Sequence, residues 1–273
     1  MYIVWITMFC CFFCCSILAE EIDFNLQVVI GQTSEKRYYS RAKSLEKIRP
    51  DLNEYEITAI YNFLDSTGPV DNLNQLEFNS LKNDLVIILL RQKHSIDKLV
   101  TSLIRMSEDA KHDIVWRCYC VQFIGRVFPD ASLTEQKKLE ETLKDILQAE
   151  NPAMIGTALI AINSNFDICS IPSPFLMEKI DGYLKNDAFP AYVKVTILQI
   201  AAQRQSPMAL LFARECLQTA ADVQLQMSAM AAMGMLGNRA DIPPLASFKE
   251  NTDIRLRIAS TAAIEKIQKR MLK

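Results

Sequence analysis

The sequence predicts an all-α fold, an α-solenoid in which helical hairpins stack one after another. Three observations predict this fold class. Glycine is scarce, with seven residues in 273, whereas a β-rich domain needs many glycine turns. Similar segments recur every 31 to 39 residues, a period typical of helical repeat proteins. Helix-start residues stand between these segments, so each repeat is predicted to be a pair of helices.

The repeat is clearest in two segments near the C-terminus, 222–237 (DVQLQMSAMAAMGMLG) and 253–267 (DIRLRIASTAAIEKI). Each opens with an aspartate, Asp222 or Asp253, whose carboxylate can accept the free amide hydrogens of a first helical turn. In both segments a leucine follows, with a long polar residue beside it, and small residues come next. Small side chains let adjacent helices approach closely, as stacked hairpins require.

The same register continues upstream, where an apolar anchor residue begins each related segment. Counted back from the C-terminus, the anchors are Leu256, Leu225, Val193, Met154, Trp116 and Leu81, at spacings of 31, 32, 39, 38 and 35 residues. Further helix starts are predicted at Ser132, Asn151-Pro152, Ser173-Pro174, Ser206-Pro207 and Asp241. The repeat array is therefore predicted to cover residues 70–273.

Residues 20–69 lie outside this register. Two amphipathic helices are predicted there, over Tyr38–Ile48 and Tyr55–Leu64, and the chain breaks at Ser66-Thr-Gly-Pro69. We predict that this region is a helical N-terminal cap, which a solenoid needs to cover its apolar end. Docking of a partner by this region is the alternative.

The repeats resemble HEAT repeats, in the alanine-rich form of the phycobilisome-lyase-like repeat proteins. The motif of that family runs Asp, two residues, an apolar residue, Arg, small residues and Leu-Gly. The resemblance is strong over residues 190–273 and weaker towards the N-terminus, and it implies the fold while saying little about function. The matching positions are Arg117, Gly125, Asp222, Gly234, Asp253 and Arg257, while Gln226, Lys194 and Lys82 occupy the Arg position elsewhere.

The resemblance also implies a structural role for the motif arginines, which in that family commonly bond to an aspartate within the array. Asp113 and Asp253 precede Arg117 and Arg257 by four residues, a helical spacing that allows an ion pair. We therefore predict that these arginines hold the array together rather than bind a ligand.

Residues 1–19 (MYIVWITMFCCFFCCSILA) contain no charged side chain and are predicted to be a signal peptide or an N-terminal membrane anchor. Ala19 is the best cleavage position. Acidic residues follow at once, beginning with Glu20, and the first Lys or Arg is Lys36. Positive charge tends to stay cytoplasmic, so we expect the rest of the chain to be exported, to a periplasmic, extracellular or envelope-anchored location.

Four cysteines lie beyond this segment. They show no CxxC spacing, and two of them stand two positions apart on a predicted helix, where they point in different directions. We predict free, mostly buried thiols, with one long-range disulfide in an oxidising compartment as the alternative. The four are Cys118, Cys120, Cys169 and Cys216.

No catalytic, cofactor-binding or metal-binding site is predicted. The histidines, His94 and His112, are distant in sequence and are expected at the surface or at helix ends, whereas a structural zinc site needs about four Cys or His ligands. Neither histidine is followed by Glu, unlike the pairs that hold iron in some HEAT-type enzymes. The chain has no Gly-rich phosphate loop. Its formal net charge of −2 argues against nucleic acid binding, which usually needs a basic face.

Two further clusters have structural explanations. The methionines crowded in one repeat are predicted to fill the core between hairpins; they are Met227, Met230, Met233 and Met235. The basic tail is predicted to be a solvated helix end that suits the negative pole of the last helix; it comprises Lys266, Lys269, Arg270 and Lys273.

The predicted function is that of an interaction scaffold. Stacked hairpins leave a long surface free to hold a protein or peptide, and no enzyme activity is expected. Membrane contact is expected only through residues 1–19, if they are not cleaved. Two alternatives stay open. One is an accessory factor of a lyase or another enzyme, acting on a bound protein or small ligand in a closed pocket. The other is a structural spacer anchored in the cell envelope.

Overall fold

The computed structural model describes residues 22–92, 96–149 and 151–272. These residues form helices and no strand, which confirms the all-α class. Residues 1–19 and His94 lie outside the described residues. The α-helices are α1 Phe24–Ile30, α2 Tyr38–Leu45, α3 Glu54–Asp65, α4 Gln75–Arg91, α5 Ile96–Glu108, α6 Ile114–Val127, α7 Leu133–Ala149, α8 Pro152–Ser164, α9 Ser173–Lys185, α10 Ala191–Gln203, α11 Pro207–Thr219, α12 Val223–Leu236, α13 Ile242–Ala246 and α14 Ile254–Met271.

Two compact units divide the chain, with their boundary between Gln92 and Lys93. In the N-terminal unit, α2 and α3 pack against α4, and α1 packs against α2 and α3. The two helices predicted for the cap region correspond to α2 and α3. We predicted α4 as part of the array that starts at residue 70, and in the structure α4 packs with the helices of the N-terminal unit.

The carboxylate of Glu56 joins two helix starts in the N-terminal unit. Its Oε1 accepts the backbone N–H of Asp23 at 2.7 Å. Its Oε2 accepts the backbone N–H of Asn53 at 2.8 Å and Nη2 of Arg49 at 2.6 Å. The Glu56 side chain is fully buried, and a buried carboxylate is tolerated only where hydrogen bonds replace its water. Glu56 thereby ties the start of α1 to the start of α3.

The C-terminal unit consists of two layers of helices. The second helices of successive hairpins, α6, α8, α10, α12 and α14, pack in a row, each against the next. The first helices, α5, α7, α9 and α11, form the other layer, and each packs against the second helix of its own hairpin. This arrangement confirms the predicted α-solenoid. In the part of the chain that the structure describes, no helix combines the length and the apolarity needed to cross a bilayer.

Glycine lies where neighbouring second helices come closest. A Cβ atom on Gly125 of α6 would lie 2.7 Å from Cβ of Ala161 in α8. A Cβ atom on Gly234 of α12 would lie 3.0 Å from Cα of Ala263 in α14. Atoms in protein interiors are close-packed without overlapping, so a larger residue at Gly125 would push α6 and α8 apart. At Gly234 a larger residue would require a shift of a few tenths of an ångström.

Aspartates begin the second helices of the last two repeats. Asp222 Oδ1 accepts the backbone N–H of Leu225 at 2.8 Å, and Asp253 Oδ1 accepts that of Arg255 at 2.9 Å. Each bond satisfies one of the amide groups that have no partner within the helix. The N-cap role that the sequence suggests for both aspartates is therefore present in the structure.

Candidate protein-binding face of the second helices

In three repeats the long polar residue after the apolar anchor donates to a backbone carbonyl oxygen of the segment just before its own helix. Carbonyl groups at and beyond a helix end need such a donor, because the helix supplies none. Glutamine at the arginine position makes the same kind of bond as arginine. The bonds are Arg117 Nε to Ser107 O at 2.8 Å, Gln226 Nε2 to Ala220 O at 2.8 Å and Arg257 Nη1 to Asn251 O at 3.0 Å.

This geometry corrects the Asp–Arg pairing that the resemblance implies for the last repeat. Asp253 Oδ2 accepts Nη2 of Arg255 at 2.6 Å, while Arg257 reaches the carbonyl of Asn251. Helical side chains lean towards the N-terminus, which directs Arg257 to the preceding segment. In α6 the Asp113 carboxylate accepts two first-turn N–H groups. Arg117 and Arg257 thus contact backbone inside the array.

A second set of bonds joins the C-terminal ends of neighbouring second helices. A side chain at the end of one helix donates to carbonyl oxygens at the end of the previous one. The bonds are Asn165 Nδ2 to Gly125 O at 2.7 Å, Arg204 Nη2 to Asn163 O at 3.1 Å, and Arg270 Nη1 to Gly234 O and Met235 O at 2.6 Å each. Arg270 is exposed, as expected of a solvated helix end, but its guanidinium also bonds to the carbonyl groups at the end of α12.

Between these two sets of bonds, the outward side of the second-helix layer is exposed. On α6, α8, α10, α12 and α14, the residues six and ten positions after the apolar anchor all lie at the surface. Because the helices stack in register, these positions form two rows. We call them the second-helix face, which comprises Gln122, Arg126, Ile160, Ser164, Gln199, Gln203, Ala231, Met235, Ala262 and Lys266.

The middle of the second-helix face, on α8, α10 and α12, carries no charged residue. The only charged residues of the face are Arg126 and Lys266, which stand on the first and the last helix of the row. Helices α8 and α12 contain no charged residue, and the single one of α10, Lys194, is buried. The first helix α7, by contrast, carries seven charged residues. Solvated surfaces are normally rich in charge, whereas the centres of protein interfaces are depleted of charged residues.

The middle of this face and its border carry apolar and amide side chains. Ile160 is 51% exposed and Met235 is 41% exposed, and Tyr192 at the start of α10 is 61% exposed. Removing such groups from water is favourable. The amides of Gln199 and Gln203 supply donors and acceptors that match a peptide backbone, and Gln203 Oε1 already accepts Nδ2 of a neighbouring asparagine at 3.0 Å.

The methionines of α12 divide between the core and the surface. Met230 and Met233 are buried, whereas Met235 is exposed on the second-helix face. The prediction that these methionines fill the core is therefore wrong for Met235. Its position in the helix turns it outward, where a flexible, polarizable side chain suits an adaptable contact.

The cysteines, and the histidine that the structure describes, are buried or half-buried. The four cysteines of the described residues are thiols. Burial raises the pKa of Cys216 to about 11 and also raises the pKa values of Cys118 and Cys169, so these thiols are weak nucleophiles at neutral pH. His112 stands directly before α6, at a helix end, but it is only 4% exposed, which corrects the alternative expectation of a surface position.

Among the residues described, no group of three or more His, Cys, Asp or Glu side chains could hold a metal ion. A cavity of about 390 Å³ lies between α5 and α7 and is lined by charged groups of both signs, among them Arg105, Glu108 and Asp145. This cavity belongs to the first-helix layer and is separate from the second-helix face.

The sequence did not single out the residues of the second-helix face, although it contains a pattern that could have found them. The residues six and ten positions after each apolar anchor include no aspartate and no glutamate. The pattern becomes informative only when the exposed side of each helix is known.

No family model matches the chain, and no curated protein is similar to it. Among solved structures, human deoxyhypusine hydroxylase in complex with glycerol is similar over 90% of this chain and 97% of its own, with 14% sequence identity and a TM-score of 0.37. A designed armadillo repeat protein is similar over 89% of this chain and 99% of its own, with 15% identity and a TM-score of 0.28. These similarities are too distant to inform the function.

Proposed function

We propose that this chain is a non-catalytic interaction scaffold and that its second-helix face holds an extended segment of a partner protein. The observation that carries the proposal is the absence of charge from the six exposed positions of this face on α8, α10 and α12, in a chain of which 23% of the residues are charged. Charged residues are depleted at the centres of protein interfaces. Apolar side chains such as Ile160 contribute buried area there, and amides such as Gln199 bond to a bound backbone.

A charge placed in the middle of the face should abolish binding. We expect the Ile160→Glu variant to capture at least tenfold less of the partner from a native extract than the wild-type protein does, because an unpaired carboxylate would be buried in the interface. Quantitative mass spectrometry of the captured proteins measures this loss. Circular dichroism confirms that the variant is folded, since Ile160 is a surface residue and its replacement should leave stability nearly unchanged.

The matched control is Leu211→Glu. Leu211 is 55% exposed on α11, in the first-helix layer, and undergoes the same change of size and charge at nearly the same exposure. We expect this variant to capture the partner as well as the wild type does. Equal capture by both variants, or equal loss from both, would contradict the proposed role of the second-helix face.

We further propose that the chain is exported and that residues 1–19 direct the export. The uncharged segment, followed at once by acidic residues from Glu20 onward, supports this orientation. Mass spectrometry of the N-terminus after cell fractionation tests it. Cleavage after Ala19 predicts an N-terminus at Glu20 in an exported fraction, whereas an uncleaved anchor predicts Met1 in the membrane fraction. Recovery of the chain with Met1 in the cytosol would refute export.

A further inference from the structure

Both charged residues of the second-helix face are basic, and they stand at its two ends. Arg126 lies on α6 and Lys266 on α14, with the uncharged positions of α8, α10 and α12 between them. In the described residues, neither of these side chains takes part in an ion pair, and neither does Lys269, one turn after Lys266. The basic groups at the ends of the face are therefore free to bind an anionic group.

A shallow, open cavity at the α14 end offers a place for such a group. It has a volume of about 500 Å³, lies between the C-terminal ends of α12 and α14, and is lined by Gly234, Met235, Lys266, Lys269 and Arg270. Arg270 is already bonded to carbonyl oxygens of α12. The two lysines are three residues apart, so they share one side of α14. The cavity continues directly from Met235 of the second-helix face.

We infer that the bound partner segment is uncharged in its middle and acidic at both ends, with one acidic end held by Lys266 and Lys269 and the other by Arg126. This inference rests on the proposed function, because it names the chemistry of the partner at the same face. Basic groups at the edges of an uncharged interface attract acidic groups and fix the register in which a segment binds. Arginine can grip a carboxylate with two parallel bonds, while lysines act as point charges.

The stacking of the helices sets the distance between the two acidic ends. Packed helices lie about 8–10 Å apart, so the four steps from α6 to α14 span roughly 32–40 Å. An extended chain advances about 3.3 Å per residue. The acidic residues of the partner segment are therefore expected about ten to twelve positions apart, with no charged residue between them.

Selection from a library of displayed random sixteen-residue peptides against the purified protein tests this inference. We expect the selected peptides to carry Asp or Glu near both ends, about ten to twelve positions apart, and uncharged residues between. Binding of a fluorescein-labelled selected peptide is then measured by fluorescence polarisation. Its affinity should fall as salt concentration rises, because the end contacts are partly exposed ion pairs.

Charge reversal at the cavity identifies the contact. The K266E/K269E variant should bind the labelled peptide at least tenfold more weakly, and a peptide with Lys in place of one acidic end should recover much of that loss. The neutral K266Q/K269Q variant should weaken binding about threefold. It controls for the possibility that charge reversal itself disturbs the end of α14. The control K137E/K185E reverses two exposed lysines of the first-helix layer and should change affinity by less than about twofold.

The outcomes separate this inference from the proposed function. Selected peptides that lose binding with Ile160→Glu but lack acidic ends would overturn the inference and support the scaffold function. An unchanged affinity in both lysine variants would also overturn it. If selection returns no peptide whose binding depends on Ile160, the proposed function itself fails.

Discussion

Gly125→Ala is expected to lower the free energy of unfolding of the C-terminal unit by about 3 kcal/mol. The added Cβ would lie 2.7 Å from Cβ and 2.9 Å from Cα of Ala161. Because one of these atoms belongs to the backbone of α8, relief requires α6 and α8 to separate. This cost exceeds the gain of up to about 1 kcal/mol that replacing a helical glycine brings. Urea denaturation followed by circular dichroism measures the change.

Gly182→Ala is the matched control for this prediction. A Cβ at Gly182 would meet nothing within 4 Å, and the residue lies inside α9. The same substitution should therefore stabilise the protein by about 0.5–1 kcal/mol. We expect the free energy of unfolding to fall in Gly125→Ala and to rise in Gly182→Ala. A stabilising or neutral effect at Gly125 would show that α6 and α8 do not depend on their close approach.

Glu56→Ala is expected to destabilise the N-terminal unit by about 2–6 kcal/mol, because it leaves two backbone donors unsatisfied. The substitution removes the acceptor of the backbone N–H groups of Asp23 and Asn53, and an unsatisfied buried donor costs about 1–3 kcal/mol. It also removes the carboxylate that pairs with Arg49. Hydrogen exchange of the Asp23 and Asn53 amides should accelerate strongly, and the unit should become sensitive to proteolysis.

Glu54→Ala is the control for Glu56. Glu54 lies in the first turn of the same helix and is exposed, so its loss should cost less than about 1 kcal/mol, chiefly through the helix dipole. If hydrogen exchange of the Asp23 amide is equally slow in both variants, the buried carboxylate does not hold α1 in place.

The features of the fold that depend on neighbouring residues could be predicted from the sequence. The Asp222 and Asp253 caps were predictable because their acceptor and donor lie within one helical turn. The helices α2 and α3 follow from amphipathic segments in the same way. Helix α1 was not predicted, because it has only seven residues and its start is held by a bond to Glu56 that spans 33 positions.

The arginines also show which features depend on neighbouring residues and which depend on residues distant in sequence. The sequence indicated that Arg117 and Arg257 are structural, but only the fold shows that their partners are carbonyl oxygens of the preceding segments. The cap that Arg270 forms joins residues 36 positions apart in sequence. Nothing in the local sequence around Arg270 distinguishes this side chain from the lysines beside it.

The sequence by itself determined the all-α class, the repeat period and the helix starts, because each follows from contacts within a turn or from the order of similar segments. Tertiary structure alone decided which side of each second helix is exposed. Helices such as α8 and α12 are uncharged and largely apolar on every side, so their periodicity does not indicate a buried face. Stacking covers three sides of α8, α10 and α12 and leaves the fourth side exposed. This creates the uncharged surface between Arg126 and Lys266.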